Sequence, residues 1–125
     1  MILGLGIDLV ETARLRASHV QFGGRFIERI LRPEEVAYCL AHRDPVPHFA
    51  ARFAAKEAVA KAFGTGIGAA LGWHDIEVCR KESGEPFLVL HGGGLALFAA
   101  RGGKSWSLSL THTEHYAAAV VILEG

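Results

Sequence analysis

The sequence predicts an α+β fold, with a small antiparallel sheet and inserted helices around a long central helix. Three observations lead to this fold class. Apolar residues alternate with glycines and an acid in residues 1–11. Residues 104–111 alternate between apolar and hydroxyl side chains, and 116–123 are mostly apolar, as expected for two further strands. Between the first and last strands, residues 48–63 are rich in good helix formers. The 125 residues suit one domain, which we expect to span 1–125.

The first strand has two different faces. One face carries branched apolar side chains, at Leu3, Leu5, Ile7 and Leu9. The other carries two glycines and an acid, at Gly4, Gly6 and Asp8. The missing side chains leave room for a helix backbone or a ligand to come close. Asp8 is either a strand-end cap or a recessed carboxylate that binds a cation. We favour the cation, because a carboxylate in an apolar strand is costly without a partner.

Three short helices and a turn should follow the first strand. We predict helices at 11–20 and 25–31, and a third that begins at Pro33 and ends near 42. Proline suits the first helical turn, and the acids at positions 34 and 35 suit a helix N-terminus. Residues 44–47 contain two prolines and predict a rigid turn. The long helix then spans about 48–63 and ends at Gly64.

The long helix is small or apolar around nearly its whole circumference, which is typical of a buried central helix. Glu57 and Lys61 share one arc at about 100° per residue, and Arg52 with Lys56 should form the polar edge. The Glu57–Lys61 spacing has two interpretations. It is an ordinary solvated pair worth a few tenths of a kcal/mol, or a carboxylate and an ammonium held in a partly dry site. The spacing alone does not decide between them.

The remaining segments complete the sheet and add a loop. Residues 64–72 are dense in glycine, but they lack the ending of a Walker loop and follow a helix, unlike a dinucleotide fingerprint. They are compatible with a linker or with a phosphate cradle of backbone N–H groups. Residues 75–80 and 87–90 predict a hairpin, and 95–101 a short helix. The spacing of His112 and His115 is weak evidence for a zinc site, because no cysteine or third histidine lies nearby in the sequence. His112 is therefore a surface turn residue or a group that stacks and hydrogen-bonds at a ligand pocket.

Bulk composition narrows the function. The 13 basic and 13 acidic residues balance, which argues against a nucleic-acid partner. Half of the residues are hydrophobic, which favours an oligomer. Cys39 and Cys79 make neither a disulfide framework nor a zinc site and indicate a reducing, cytoplasmic compartment. The apolar N-terminal run is too short to span a membrane, so we expect no membrane partner.

Together these residues suggest a phosphoryl-transfer site. Asp8 and Glu57 would converge from a strand and a helix, and Mg²⁺ is commonly bound by one or two carboxylates with waters and substrate phosphates. Nearby positive charges and backbone donors could hold those phosphates. Two alternatives remain open from the residues alone: a non-catalytic nucleotide-binding module, and a structural oligomer.

The motifs match a known family. Its motifs occur here in the family's order and across nearly the whole chain. They are Gly6-Ile7-Asp8, residues 52–58 with Lys61, residues 63–68, and residues 109–113 followed by 116–119. The sequence resembles the holo-acyl-carrier-protein synthases, the short group of 4′-phosphopantetheinyl transferases. The resemblance implies transfer of 4′-phosphopantetheine from coenzyme A to a serine of an apo acyl carrier protein, with release of 3′,5′-ADP. It also implies a homotrimer with coenzyme A bound between protomers.

The resemblance assigns roles to individual residues. Asp8 and Glu57 match the Mg²⁺ carboxylates, and Lys61 matches the lysine at the pyrophosphate. The general base is either Glu57 or a metal-bound water. Positions matching the coenzyme A contacts are Arg43, Arg52, Lys56, Lys61, Gly64, Thr65, Gly66, His112 and Thr113. Arg14 and Arg25 match the basic surface that meets the carrier protein. Arg29 lies four residues after Arg25 on the same helix face, so we add it to this surface. The larger, two-lobed relatives have a second acidic residue at the position of Val10. Its absence here agrees with the short group, and the resemblance then implies carrier proteins of the fatty-acid biosynthesis type.

Overall fold

The computed structural model describes residues 1–125 and confirms the α+β class. Ten helices and strands follow one another along the chain. They are β1 (Ile2–Glu11), α1 (Thr12–Phe22), α2 (Gly24–Ile30), α3 (Pro33–Leu40), α4 (Val46–Phe63), β2 (Ile76–Arg80), β3 (Pro86–Leu90), α5 (Gly92–Ala100), β4 (Ser105–His112) and β5 (Tyr116–Glu124). A single 3₁₀ turn, Trp73–Asp75, precedes β2. None of the helices is long and apolar enough to cross a membrane.

The strands form two sheets, whereas the sequence predicted one. β5 lies between β1 and β4 in a three-stranded antiparallel sheet, and β2 pairs only with β3. In the larger sheet Asp8 lies opposite Ala119, which in turn lies opposite Leu110. At the boundary between the sheets, the indole N–H of Trp106 donates to the carbonyl of Leu88 at 2.9 Å. This bond joins a β4 side chain to a β3 carbonyl across the boundary between the two sheets.

The central helix α4 packs directly on the glycine face of β1. A Cβ atom added to Gly4 would collide with the carbonyl oxygen of Ala62, and one added to Gly6 with that of Ala58. The two glycines therefore allow backbone-to-backbone contact, as their pattern predicted. The helix begins at Val46, two positions before the expected start. It ends at Gly64, whose left-handed φ of 76° closes the C-terminus.

The opposite face of the larger sheet is apolar and open. Leu5, Ile7 and Leu9 of β1 are 61–65% exposed, although they are large aliphatic side chains. Half-buried residues of β5 continue this face beside them, at Ala118, Val120 and Ile122. We call these six residues the outer sheet face. A contiguous apolar surface of this kind is typical of an interface with another protein.

The two cysteines differ in burial. Cys39 is buried in α3, whereas Cys79 is half-buried in β2, and neither forms a disulfide. Burial raises the pKa of each thiol to about 11, so both stay protonated near neutral pH.

Candidate active site

The first candidate cluster lies where β1 meets the C-terminal half of α4. Asp8 Oδ1 accepts a hydrogen bond from Lys61 Nζ at 2.9 Å, and the same ammonium donates to the carbonyl of Ile7 at 3.0 Å. The Asp8 side chain is 15% exposed and that of Lys61 53%. Lys61 thus pairs with a carboxylate on another element, and its ion pair is not the helix pair with Glu57 that the spacing allowed.

Glu57 is half-buried beside this pair. Burial raises the pKa of its carboxyl, the negative charge of Asp8 raises it further, and Lys61 and Arg14 oppose the shift. Two carboxylates therefore lie close together in a partly buried site, and a bound cation would reduce the repulsion between them. No three or more His, Cys, Asp or Glu side chains are placed together so that they alone could hold a metal ion. An ion held by Asp8 and Glu57 would take its other oxygens from water or substrate, which is usual for Mg²⁺.

The loop after α4 is exposed, but two of its backbone donors are already used. The N–H of Gly64 donates to the carbonyl of Lys61 at 3.0 Å, and that of Gly66 donates to Ala60 at 3.3 Å. The hydroxyl of Thr65 donates to the carbonyl of Gly66 at 2.9 Å. Both glycines have positive φ, so the glycine pattern here closes the helix. In this conformation the Gly64 and Gly66 N–H groups are not free to cradle a phosphate.

A second cluster of cationic and aromatic groups lies on another side of α4. Arg52 is 1% exposed, and its guanidinium carbon stands 4.2 Å from the ring centre of Tyr38. The guanidinium of Arg80, from β2, lies 5.7 Å from the same ring. Nε and Nη1 of Arg52 and Nε of Arg80 are buried without a hydrogen-bond partner. Arg52 was predicted to form part of a polar edge of the helix, whereas the structure buries it.

Three histidines complete this second cluster. The rings of His42 and His48 stack with their centres 3.6 Å apart, and His112 meets His48 edge-on at 5.4 Å. Burial lowers the pKa of His48 to about 4, with smaller contributions from His42, His112 and the nearby arginines. His112 itself is exposed at the end of β4. We call Tyr38, His42, His48, Arg52, Arg80 and His112 the histidine–arginine cluster.

Lys56 does not lie on a polar edge either, and it has no donor left for a ligand. Its side chain is completely buried. Its ammonium donates to Glu35 at 2.7 Å and to the carbonyls of Ile30 and Trp73 at 2.8 and 3.1 Å. An ammonium has three N–H groups, so all are used. The expected contact of Lys56 with coenzyme A is therefore incompatible with this arrangement, in which Lys56 joins α2, α3 and the 3₁₀ turn to α4.

The remaining predicted residues are at the surface. Arg43 and Thr113 are exposed on the loops next to the histidine–arginine cluster, and Arg14, Arg25 and Arg29 are exposed on α1 and α2. A groove of about 560 Å³ is lined by Gln21, Phe22, Arg25, Phe26 and Arg29. Arg14 lies near enough to Glu57 to lower the pKa of that carboxyl, so the basic surface adjoins the first cluster.

Sequence reasoning missed Glu35, Tyr38, His42, His48 and Arg80. Glu35 is a helix-start acid in the sequence and gave no sign that it partners a lysine far along the chain. The histidines come from the α3–α4 loop, α4 and β4, so only tertiary structure unites them. Two histidines within one short stretch, at 42 and 48, were the only local signal.

Comparison with known proteins defines the class of this chain. The profile described as "4'-phosphopantetheinyl transferase superfamily" matches residues 4–121. The holo-[acyl-carrier-protein] synthase of Koribacter versatilis is 50% identical over 124 residues, which are 99% of each chain. The chain therefore belongs to the 4′-phosphopantetheinyl transferase superfamily.

Solved structures narrow the class further. The holo-[acyl-carrier-protein] synthase of Neisseria meningitidis is 36% identical, with a TM-score of 0.93 and complete coverage of both chains. That of Helicobacter pylori, solved in complex with coenzyme A, is 32% identical, with a TM-score of 0.85 over 96% of this chain and 99% of that one. The resemblance seen in the motifs is thus confirmed, and the enzyme is a phosphopantetheinyl transferase of the holo-[acyl-carrier-protein] synthase type.

Proposed function

We propose that this chain uses Mg²⁺ to transfer the 4′-phosphopantetheine arm of coenzyme A to a serine hydroxyl of an apo acyl carrier protein. The other product is 3′,5′-ADP. The proposal depends above all on the meeting of Asp8, Glu57 and Lys61 at the contact of β1 with α4. The short-group resemblance, with Val10 in place of a further acid, favours a carrier of fatty acid biosynthesis. The two free cysteines favour a reducing, cytoplasmic compartment.

Asp8 and Glu57 are the residues that would hold the metal. Their mutual repulsion and the partial burial of Glu57 make a divalent cation the natural partner of this pair. Bound there, Mg²⁺ would offset the negative charge that the pyrophosphate oxygens gain in the transition state.

Lys61 and Glu57 supply the proton chemistry in this proposal. The Lys61 ammonium uses two of its three N–H groups on Asp8 and Ile7. The third can donate to the phosphate that leaves as 3′,5′-ADP and stabilise its developing charge. Glu57 is the carboxylate that we propose to accept the proton of the attacking serine. Asp8 holds the Lys61 side chain in position for its part in the reaction.

The nucleotide half of coenzyme A would lie against Arg52, His112 and their neighbours. On an ideal helix at about 100° per residue, His48 and Glu57 project from opposite sides. One coenzyme A would have to pass around the buried helix α4 to reach both clusters in a single protomer. Two adjacent copies can present one cluster each. This supports sites between protomers, and the family resemblance makes the assembly a homotrimer in this proposal. The outer sheet face provides apolar surface for its assembly.

The carrier protein would dock on the basic surface of α1 and α2. Arg14, Arg25 and Arg29 are exposed, and Phe22 beside the groove is 56% exposed. Basic side chains around an apolar groove suit an acidic, amphipathic helix. Arg14→Glu should weaken carrier binding at least tenfold and leave coenzyme A binding nearly unchanged. Calorimetric titration of each ligand separates the two, and equal losses would contradict a carrier-facing role.

Mass spectrometry of an apo fatty-acid-type carrier protein tests the function directly. The carrier is incubated with this protein, coenzyme A and MgCl₂, with parallel reactions in EDTA and with a carrier whose acceptor serine is alanine. We expect the added mass of one phosphopantetheine only in the first reaction. No added mass on several carriers of this type would overturn the proposed substrate. Equal transfer in metal-free EDTA samples would overturn the role of Mg²⁺.

A further inference from the structure

The histidine–arginine cluster concentrates unsatisfied polar atoms. Six buried side-chain nitrogen or oxygen atoms in the whole chain lack a hydrogen-bond partner. Four of them belong to this cluster: His48 Nδ1, Arg52 Nε and Nη1, and Arg80 Nε. Buried polar groups are normally bonded, so a group of exceptions requires an explanation. All four are nitrogens and three belong to cations, so the missing partner has the chemistry of an anion.

No carboxylate of the chain supplies that anion. Glu35 is committed to Lys56 at 2.7 Å, and its second oxygen accepts the N–H of Val78 at 3.0 Å. Asp44, the other acid near His48, pairs with Arg16 at 2.7 Å. The cluster therefore keeps the positive charges of Arg52 and Arg80 without a carboxylate partner, and the one hydrogen bond of the Arg80 side chain goes from Nη1 to the carbonyl of Gly84 at 2.7 Å. A phosphate monoester would supply both negative charge and acceptor oxygens.

We propose that coenzyme A binding is linked to protonation of His48, so that the 3′-phosphate binds more tightly as the pH falls. This inference rests on the proposed function, which places the nucleotide half of coenzyme A at this cluster. His48 would act as a positioning and pH-sensing residue, while the chemistry stays at Asp8, Glu57 and Lys61.

The geometry explains why the proton and the phosphate must bind together. His48 is faced by Tyr38 of α3, by His42 and Asp44 of the following loop, by Arg52 of α4, by Arg80 of β2 and by His112 of β4. Without a ligand, burial and the surrounding cations disfavour the imidazolium, and the pKa of His48 is about 4. A phosphate dianion reverses the sign of the local field and gives the imidazolium an acceptor. By reciprocity, the proton then strengthens phosphate binding.

The expected size follows from linkage. The pKa of His48 is about 4 in the free protein. Suppose the bound phosphate restores it to the ordinary histidine value of about 6.5. The affinity for coenzyme A at pH 5.5 then exceeds that at pH 7.5 by about tenfold. The phosphate itself titrates near pH 6, so the His48 contribution is the difference between the wild type and a variant whose residue 48 does not titrate.

His48→Phe is the matched variant, because phenylalanine keeps an aromatic ring against His42 and has no titrating nitrogen. Coenzyme A affinity is measured by calorimetry at pH 5.5, 6.5 and 7.5, at constant MgCl₂ and in two buffers of different ionisation enthalpy. Dephospho-coenzyme A, which lacks the 3′-phosphate, serves as the control ligand. We expect the wild type to gain about tenfold more affinity than the variant on acidification. It should also take up more protons on binding, and neither difference should appear with the control ligand.

The outcomes separate this inference from the proposed function. Equal pH slopes and equal proton uptake in wild type and variant overturn the His48 linkage while leaving the coenzyme A site intact. The same His48-dependent slope with dephospho-coenzyme A places the linkage elsewhere and also overturns it. No coenzyme A binding at any pH overturns the proposed function and the inference with it. If the variant does not fold, NMR titration of the wild-type His48 ring decides: its pKa must rise on coenzyme A binding.

Discussion

Replacing Lys56 by methionine removes the cation from the most buried ion pair of the chain. Glu35 and Lys56 have 1% and 0% exposed side chains and lie 2.7 Å apart. Methionine fills most of the volume but leaves the Glu35 carboxylate without its cation and the carbonyls of Ile30 and Trp73 without their donor. Removing one partner of such a pair destabilises proteins by about 3–5 kcal/mol. We expect Lys56→Met to reduce the free energy of unfolding by this amount.

Lys61→Met provides a matched control on the same helix. Lys61 also pairs with an acid, at 2.9 Å, but its side chain is 53% exposed. An exposed pair contributes about 1 kcal/mol or less, so the stability of this variant should be nearly normal. Its transfer rate should fall about 100-fold or more, the usual cost of losing a donor to a developing negative charge. The two lysines should therefore separate stability from catalysis.

Urea unfolding followed by circular dichroism measures the stability, at one fixed protomer concentration because oligomers unfold in a concentration-dependent way. The double variant Lys56→Met with Glu35→Gln completes a cycle. Because the stranded charge is gone, it should lose less than the sum of the single variants, with a coupling of about 1 kcal/mol or more. A loss below 1 kcal/mol for Lys56→Met, or strict additivity in the cycle, would refute the reasoning.

Three further predictions concern β1. Asp8→Ala should abolish transfer in the carrier assay while the oligomer survives in analytical ultracentrifugation, and a normal rate would remove Asp8 from the site. Gly6→Ala should lower the urea midpoint strongly, because its Cβ would collide with the Ala58 carbonyl, whereas Gly68→Ala, with nothing near its added Cβ, should not. Ile7→Glu places a charge on the outer sheet face and should shift the sedimentation coefficient towards the monomer; an unchanged coefficient would exclude that face from assembly.

The sequence predicted the parts whose cause is local. Alternation in residues 1–11 gave the two faces of β1, and Gly64 gave the end of α4, because strand pleating and the left-handed helix cap depend on neighbouring residues only. The convergence of Asp8 with Glu57 followed from faces that both looked buried. Lys61 was assigned correctly to that neighbourhood, although its pairing with Asp8 required the tertiary contact of β1 with α4.

The predictions that were wrong concern residues whose environment is set by neighbours distant in sequence. Arg52 and Lys56 were assigned to a polar edge because charged side chains are rarely buried. That edge is covered by α3 and β2, which bring Tyr38, Glu35 and Arg80 against it. No periodicity within α4 contains this information. The contact of the β2–β3 hairpin with the main sheet likewise includes a bond between residues distant in sequence, from the Trp106 indole to the Leu88 carbonyl.

The contact of α4 with β1 determines how firmly the proposed metal ligands are spaced. Gly4 and Gly6 meet the carbonyls of Ala62 and Ala58, so the distance between the two backbones is limited by atomic radii and not by side-chain rotamers. Glu57 directly precedes Ala58, and Asp8 lies two residues after Gly6. Thermal motion of side chains elsewhere in the core therefore has little means of changing the gap between their backbones. Any substitution that thickens this seam would move apart the two backbones that carry these carboxylates.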